Sequence, residues 1–176
     1  MSASLPIEIL KKYKGNFTKF FETGTSTGDS TQTALDAGFE EIFTVEFYKP
    51  TYEKALKKFE FNEKVHVYHS ESVGCLKAVL PFIEDGIVFF LDAHASCDQK
   101  CTPMLEELDS IKGHKFPIVV MIDDMRLLGL QTWKKVTIPI LLDKLKEVNP
   151  NFEIVFEDNQ HGVKGDLLVA FDPAVN

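Results

Sequence analysis

The sequence predicts an α/β fold: a three-layer, doubly wound, mostly parallel sheet with a C-terminal antiparallel strand. Three observations lead there. Five short apolar runs alternate with longer stretches of helical period. The runs are β-branched or aromatic and mostly lack polar alternation, as strands buried on both faces do. The last two strand-like runs are joined by a connection too short for a crossover helix, so they should pair antiparallel.

The first strand, Thr18–Glu22, feeds a glycine- and hydroxyl-rich turn and then a helix over Ser30–Ala37. The second, Ile42–Glu46, precedes a helix over Pro50–Phe59, with Pro50 placed for a first turn. Val65–His69 is the third strand and Val73–Phe82 the helix after it. Ile87–Asp92 is the fourth strand, followed by a helix over Pro103–Ile111 that again opens on proline. Ile118–Asp123 is the fifth. The helix Ile138–Val148 should stop before Asn149-Pro150, because the residue preceding proline disfavours the helical region. Phe152–Glu157 and Asp166–Phe171 close the chain as a hairpin about the Asn- and Gly-bearing connection Asp158–Gly165. The Lys11–Lys14 and Lys54–Lys58 regions read as solvated helix faces.

No repeat or linker divides the chain, so residues 1–176 are expected to form one domain, with 44% hydrophobic residues and 15 Phe to fill its core. The net charge of -8 argues against a nucleic-acid partner. No signal-type or membrane-length apolar run is present, which predicts a cytoplasmic protein without a membrane partner. Cys75, Cys97 and Cys101 make no disulfide framework. His94, Cys97 and Cys101 lie close enough in sequence to raise zinc, but no fourth ligand is adjacent; a loop disulfide or redox pair is a second reading, and plain loop thiols are the default.

In doubly wound sheets ligands bind beyond the carboxyl ends of the strands, near the switch in strand order. The first strand ends in Glu22-Thr23-Gly24-Thr25-Ser26-Thr27-Gly28. Gly24 and Gly28 permit a close ligand approach that a side chain would block. Their GxxxG spacing is neither the GxGxxG of dinucleotide binders nor a P-loop, which would carry a lysine. Glu46, ending the second strand, is placed to accept hydrogen bonds from ribose hydroxyls. After the third strand, Glu71 can receive an adenine amino group, while Ser70-Glu71-Ser72 reads more strongly as a cap before the next helix, and both roles can coexist.

Together these residues resemble the class I S-adenosylmethionine-dependent methyltransferases, and the resemblance spans nearly the whole chain, including the closing hairpin. It implies a Rossmann-like methyltransferase fold and S-adenosyl-L-methionine as cofactor. Carried over, it places Glu22, Thr23, Gly24 and Gly28 at the methionine part, Glu46 at the ribose, and Glu71 with Ser72 at the adenine.

A second group of acids sits further along the same edge. The fourth strand ends in Asp92-Ala93-His94 and the fifth in Asp123-Asp124. Neighbouring parallel strands bring the three aspartates together, and a cation is the simplest way to keep them so. Oxygen ligands select Mg²⁺ or another hard divalent ion. The arrangement resembles the metal-dependent O-methyltransferases related to catechol O-methyltransferase, which implies that Asp92, Asp123 and Asp124 hold metal. Asp92 then also borders the cofactor, and Asp92 and His94 are the candidate catalytic residues, His94 as ligand or general base. The metal-free reading gives Asp92 to cofactor or substrate, lets Asp123 cap a loop and pairs Asp124 with Arg126.

The expected reaction is O-methylation of a hydroxylated acceptor, either a small molecule or a sugar, assisted by the divalent ion. The alternative is a non-catalytic S-adenosylmethionine-binding module or partner subunit. A metal-dependent hydrolase on Asp92, His94, Asp123 and Asp124 would leave the Glu22–Gly28 loop idle. Leu127, Leu128, Leu130, Gln131 and Trp133, in the insertion after the fifth strand, suggest a lid, a homodimer contact or core packing. His161, in the last turn, can overhang the same edge without needing a role.

Overall fold

In a computed structural model, which describes residues 5–93, 102–130, 133 and 135–174, the chain follows this order. Helix α1 (Ile7–Lys14) leads into β1 (Lys19–Thr23), α2 (Asp29–Asp36), β2 (Glu41–Glu46), α3 (Lys49–Lys58) and β3 (Val65–His69). Then come α4 (Ser72–Val79), β4 (Ile87–Leu91), α5 (Met104–Ile111), β5 (Ile118–Ile122), α6 (Ile138–Val148), β6 (Glu153–Glu157) and β7 (Leu167–Phe171). His94, Cys97, Cys101, Gln131 and Lys134 lie outside the described residues.

The strands form one seven-stranded sheet in the order β3-β2-β1-β4-β5-β7-β6. The first five are parallel, and β7 runs antiparallel between β5 and β6. The chain builds outward from β1 through β2 to β3, then restarts on the other side of β1 with β4. The switch point therefore lies between β1 and β4, and doubly wound sheets bind their ligands beyond the carboxyl ends of the strands at that point.

Alternate residues of the central strands feed two separate cores. Phe20, Val88, Phe90, Val119 and Met121 pack with Leu10, Tyr13 and Ala34 of α1 and α2. Phe21, Phe89, Leu91, Val120 and Ile122 pack with Leu76, Leu108, Leu141 and Leu145 of α4, α5 and α6. Burial on both faces is why β4 and β5 read as unbroken apolar runs. No helix among the described residues is long and apolar enough to cross a membrane.

Two stretches turn out to be bound into the body of the fold. The lysines of α1 do face outward, but its other side buries Leu10 and Tyr13, and Lys12 and Tyr13 both donate to Glu157 on β6. In the insertion after β5, Met125, Trp133 and Val136 are buried in the core shared with α4–α6, while Leu130 is exposed. Of the three readings of that insertion, core packing describes Trp133.

Candidate active site

Because the first five strands are parallel, their carboxyl ends set the candidate residues in a row. Across the edge the order is Glu71–Ser72, Glu46, the Glu22–Gly28 loop, Asp92, and Asp123–Asp124. Four inter-strand steps separate the ends of that row, roughly 20 Å at the usual strand spacing, a span suited to an extended ligand.

The loop after β1 is held from three sides. From β2, the Val45 carbonyl accepts the amides of Gly24 and Thr25 at 2.9 and 3.1 Å. Glu46 accepts the amide of Ser26 at 2.9 Å and that of Tyr48 at 2.8 Å, and so fixes Ser26 at a φ of 49° that a non-glycine residue rarely adopts. A carboxylate has about four lone-pair sites. The amides of Ser26 and Tyr48 take two of them. From α3, Lys58 Nζ donates to the carbonyls of Thr27 and Gly28 at 3.0 and 2.9 Å, and Phe59 closes on Gly28. From β4, the Asp92 amide donates to the Thr23 carbonyl at 3.0 Å.

That last contact leaves almost no room at Gly24. A Cβ there would stand 2.4 Å from the Asp92 carbonyl oxygen. The bare backbone at Gly24 is therefore what lets the loop cross the switch point at this height.

Glu22 is buried between α2 and β2. Its carboxyl is 1% exposed and accepts the hydroxyls of Thr31 on α2 and Thr44 on β2, the latter at 2.7 Å, while Thr44 also meets Thr25 Oγ1 at 2.6 Å. Thr44 is the in-register neighbour of Glu22, which makes the contact a direct product of strand pairing. Burial pushes the Glu22 carboxyl up to about 7, with the Thr31 and Thr44 hydroxyls pulling the other way.

The sign of the effect on stability follows. An acid whose pKa rises on folding binds more protons in the native state across the window from 4.5 to about 7, so stability falls as pH rises through it. Replacing Glu22 with Gln keeps an acceptor for both hydroxyls and removes the titration. Between pH 5 and pH 8 the wild type should lose on the order of 2–3 kcal/mol relative to Glu22→Gln. Paired urea unfolding curves at the two pH values measure this, and parallel pH dependence of the two proteins would exclude a buried titrating Glu22.

At the far end, Glu71 is exposed and occupies the N-cap position of α4 without a side-chain capping bond, while Ser72 is buried as its first residue. Asp123 and Asp124 are 3% and 7% exposed, and Asp124 sits in the left-handed region at φ 61°. Asp92, Asp123 and Asp124 can each offer an oxygen such that all three lie within 4.8 Å of one another. Arg126 pairs with Asp124 and with Asp166, so the Asp124 pairing read from the sequence is present. Burial opposes the Arg126 charge, yet Asp124 and Asp166 hold the guanidinium protonated above its ordinary range.

Sequence reading missed the supports of this site. Asp166, 1% exposed, accepts the Arg126 amide at 2.9 Å and the Asn159 side chain at 2.8 Å, and its carbonyl takes the Met125 amide at 3.0 Å. It thereby ties the β6–β7 turn to the Asp123–Asp124 turn. Thr44 was the more legible of the two omissions: a hydroxyl in the buried run Ile42–Glu46 needs a partner.

No family model matches the chain, and no curated protein sequence matches it. Solved structures do. An O-methyltransferase from Bacillus cereus in complex with SAH superposes with a TM-score of 0.69 at 15% identity, covering 94% of this chain and 78% of that one. The fold is that of the class I S-adenosylmethionine-dependent methyltransferases. A methyltransferase from Podospora anserina, also SAH-bound, has a TM-score of 0.62 at 14% identity over 94% of this chain and 75% of its own. A spermidine synthase in complex with the transition-state analogue AdoDATO reaches 0.62 at 13% identity, covering 96% of this chain and 57% of that one. The methyltransferase fold thus carries a synthase as well as methyltransferases, and the reaction has to be argued from the site.

Proposed function

We propose that this chain is an S-adenosylmethionine-dependent methyltransferase that methylates an oxygen of a hydroxylated small molecule or sugar, aided by a divalent ion on Asp92, Asp123 and Asp124. The observation that carries the reading is the double placement of Asp92. Its backbone forms the wall against which Gly24 packs, and its carboxylate belongs to the acidic cluster. Anything bound over the glycine loop and anything bound at the cluster are therefore neighbours.

The donor set suits one hard cation. Oxygens on opposite sides of a Mg²⁺ stand about 4.0–4.2 Å apart and of a Ca²⁺ about 4.6–5.2 Å, so oxygens mutually within 4.8 Å can share an ion. Such an ion supplies Lewis acidity that lowers the pKa of an acceptor hydroxyl, and S-adenosylmethionine supplies the electrophilic methyl group. The residues of the chain do the positioning. Glu46 and Lys58 fix the loop, Gly24 admits the donor close to β4, and Asp92 sets the height of the acceptor relative to it. A displacement in line depends mainly on that alignment.

Calorimetric titration with S-adenosylhomocysteine tests the cofactor half. Binding is expected without added metal, and its absence removes the proposal. Methyl transfer to pooled hydroxylated acceptors should stop on chelation and return with Mg²⁺. Turnover that survives chelation removes the metal from the reading, while binding without any methylated product favours a non-catalytic module.

A further inference from the structure

The acidic cluster already has a cation beside it. Arg126 reaches Asp124 through Nη1 and, through the same nitrogen, Asp166. Its side chain is 48% exposed, whereas those of Asp124 and Asp166 are 11% and 0% exposed, so the guanidinium stands on the solvent side of the carboxylates it pairs with. The two anchors are unequal. Both contacts use the guanidinium, but Asp166 also holds the Arg126 backbone amide and is itself fixed by Asn159, whereas Asp124 meets Arg126 only at the end of its long side chain among the contacts described. A guanidinium cannot shed its proton to make way for a second cation.

Resting on the metal reading above, we propose that Arg126 is a tethered rival of the divalent ion: it neutralises Asp124 in the metal-free protein and swings off it, pivoting on Asp166, when the ion binds. The backbone contacts of Asp166 stay in place during the swing, so the Asp123–Asp124 turn keeps its shape in both states. The chain would then hold its metal weakly and reversibly, with the Asp124 carboxylate never left without a counter-charge. A positive charge within contact distance of one ligand opposes the ion through Coulomb repulsion and through the salt bridge that must break. Half exposure of Arg126 reduces both terms.

The test is calorimetric titration of MnCl₂ into the full-length wild type, Arg126→Gln and Arg126→Lys, with melting temperatures measured with and without the ion. Arg126→Gln should bind Mn²⁺ roughly tenfold tighter than wild type, because the rival charge is gone, and Arg126→Lys should stay within about threefold of wild type. Without metal, Arg126→Gln should melt lower, since the buried Asp166 loses its charged partner while keeping Asn159 and the backbone amide of residue 126. Its gain in melting temperature on adding Mn²⁺ should exceed that of the wild type. If Arg126→Gln binds Mn²⁺ as the wild type does or more weakly, Arg126 supports the ligands instead, and the inference falls while the metal reading stands. If neither protein binds Mn²⁺, both fall.

Discussion

Gly24→Ala should abolish detectable S-adenosylhomocysteine binding, with an affinity loss of at least about a hundredfold, and should lower the melting temperature as well. Two separate effects add at this position. A φ of +86° is strained for any residue with a Cβ, and that Cβ would meet the Asp92 carbonyl oxygen at 2.4 Å. Main-chain oxygen cannot swing aside as a side chain can, so the loop or the end of β4 must move. Displacements of about 1 Å at a reacting geometry cost on the order of a hundredfold in rate, so methyl transfer should fall together with binding. Gly38 supplies the control. Its φ is +84°, nearly the same, but an added Cβ meets nothing within 4 Å. Gly38→Ala should therefore lose only the conformational part, roughly 1–2 kcal/mol, and bind S-adenosylhomocysteine as the wild type does. Gly24→Ala should lose about 2–4 kcal/mol, a fall of roughly 5–15 °C for a chain of this size. Equal behaviour of the two variants, in melting and in calorimetry, would show that the close approach to Asp92 does not shape the site.

The frame that makes this comparison possible was legible from residue patterns. Strands buried on both faces show as unbroken apolar runs, so Ile87–Leu91 and Ile118–Ile122 announce a central parallel pair. Parallel strands end at one edge, which lines up Glu46, Gly24, Asp92 and Asp123 without any further information. Side-chain direction at those ends was not legible. Glu22 and Glu46 both close apolar strands, yet Glu22 turns down onto Thr31 and Thr44 while Glu46 turns up onto Ser26. The difference comes from register and from which hydroxyl lies beside each acid, and neither has a local signature in the chain. The same holds for Asp166. Its partners Arg126 and Asn159 lie 40 and 7 residues away in sequence, and only the insertion of β7 between β5 and β6 brings Arg126 to it.

Asp123→Asn should reduce methyl transfer by about a hundredfold or more while leaving the dissociation constant for S-adenosylhomocysteine within about threefold of wild type. The split follows from position. Asp123 is one strand beyond Asp92, on the side of β4 away from the glycine loop, so it can serve the acceptor without touching what the loop binds. Asn keeps the shape and one carbonyl oxygen but removes the negative charge that a hard cation needs. Asp92→Asn should differ in kind. Its backbone still walls Gly24, yet it is the member of the acidic cluster that borders the glycine loop in the chain's fold, so both turnover and S-adenosylhomocysteine affinity should fall. A combined measurement of kcat and of S-adenosylhomocysteine affinity in the two variants separates donor-side from acceptor-side work. If Asp123→Asn weakens S-adenosylhomocysteine binding as much as Asp92→Asn does, the acids act as one unit on the cofactor. The division of the edge into donor and acceptor halves would then be lost.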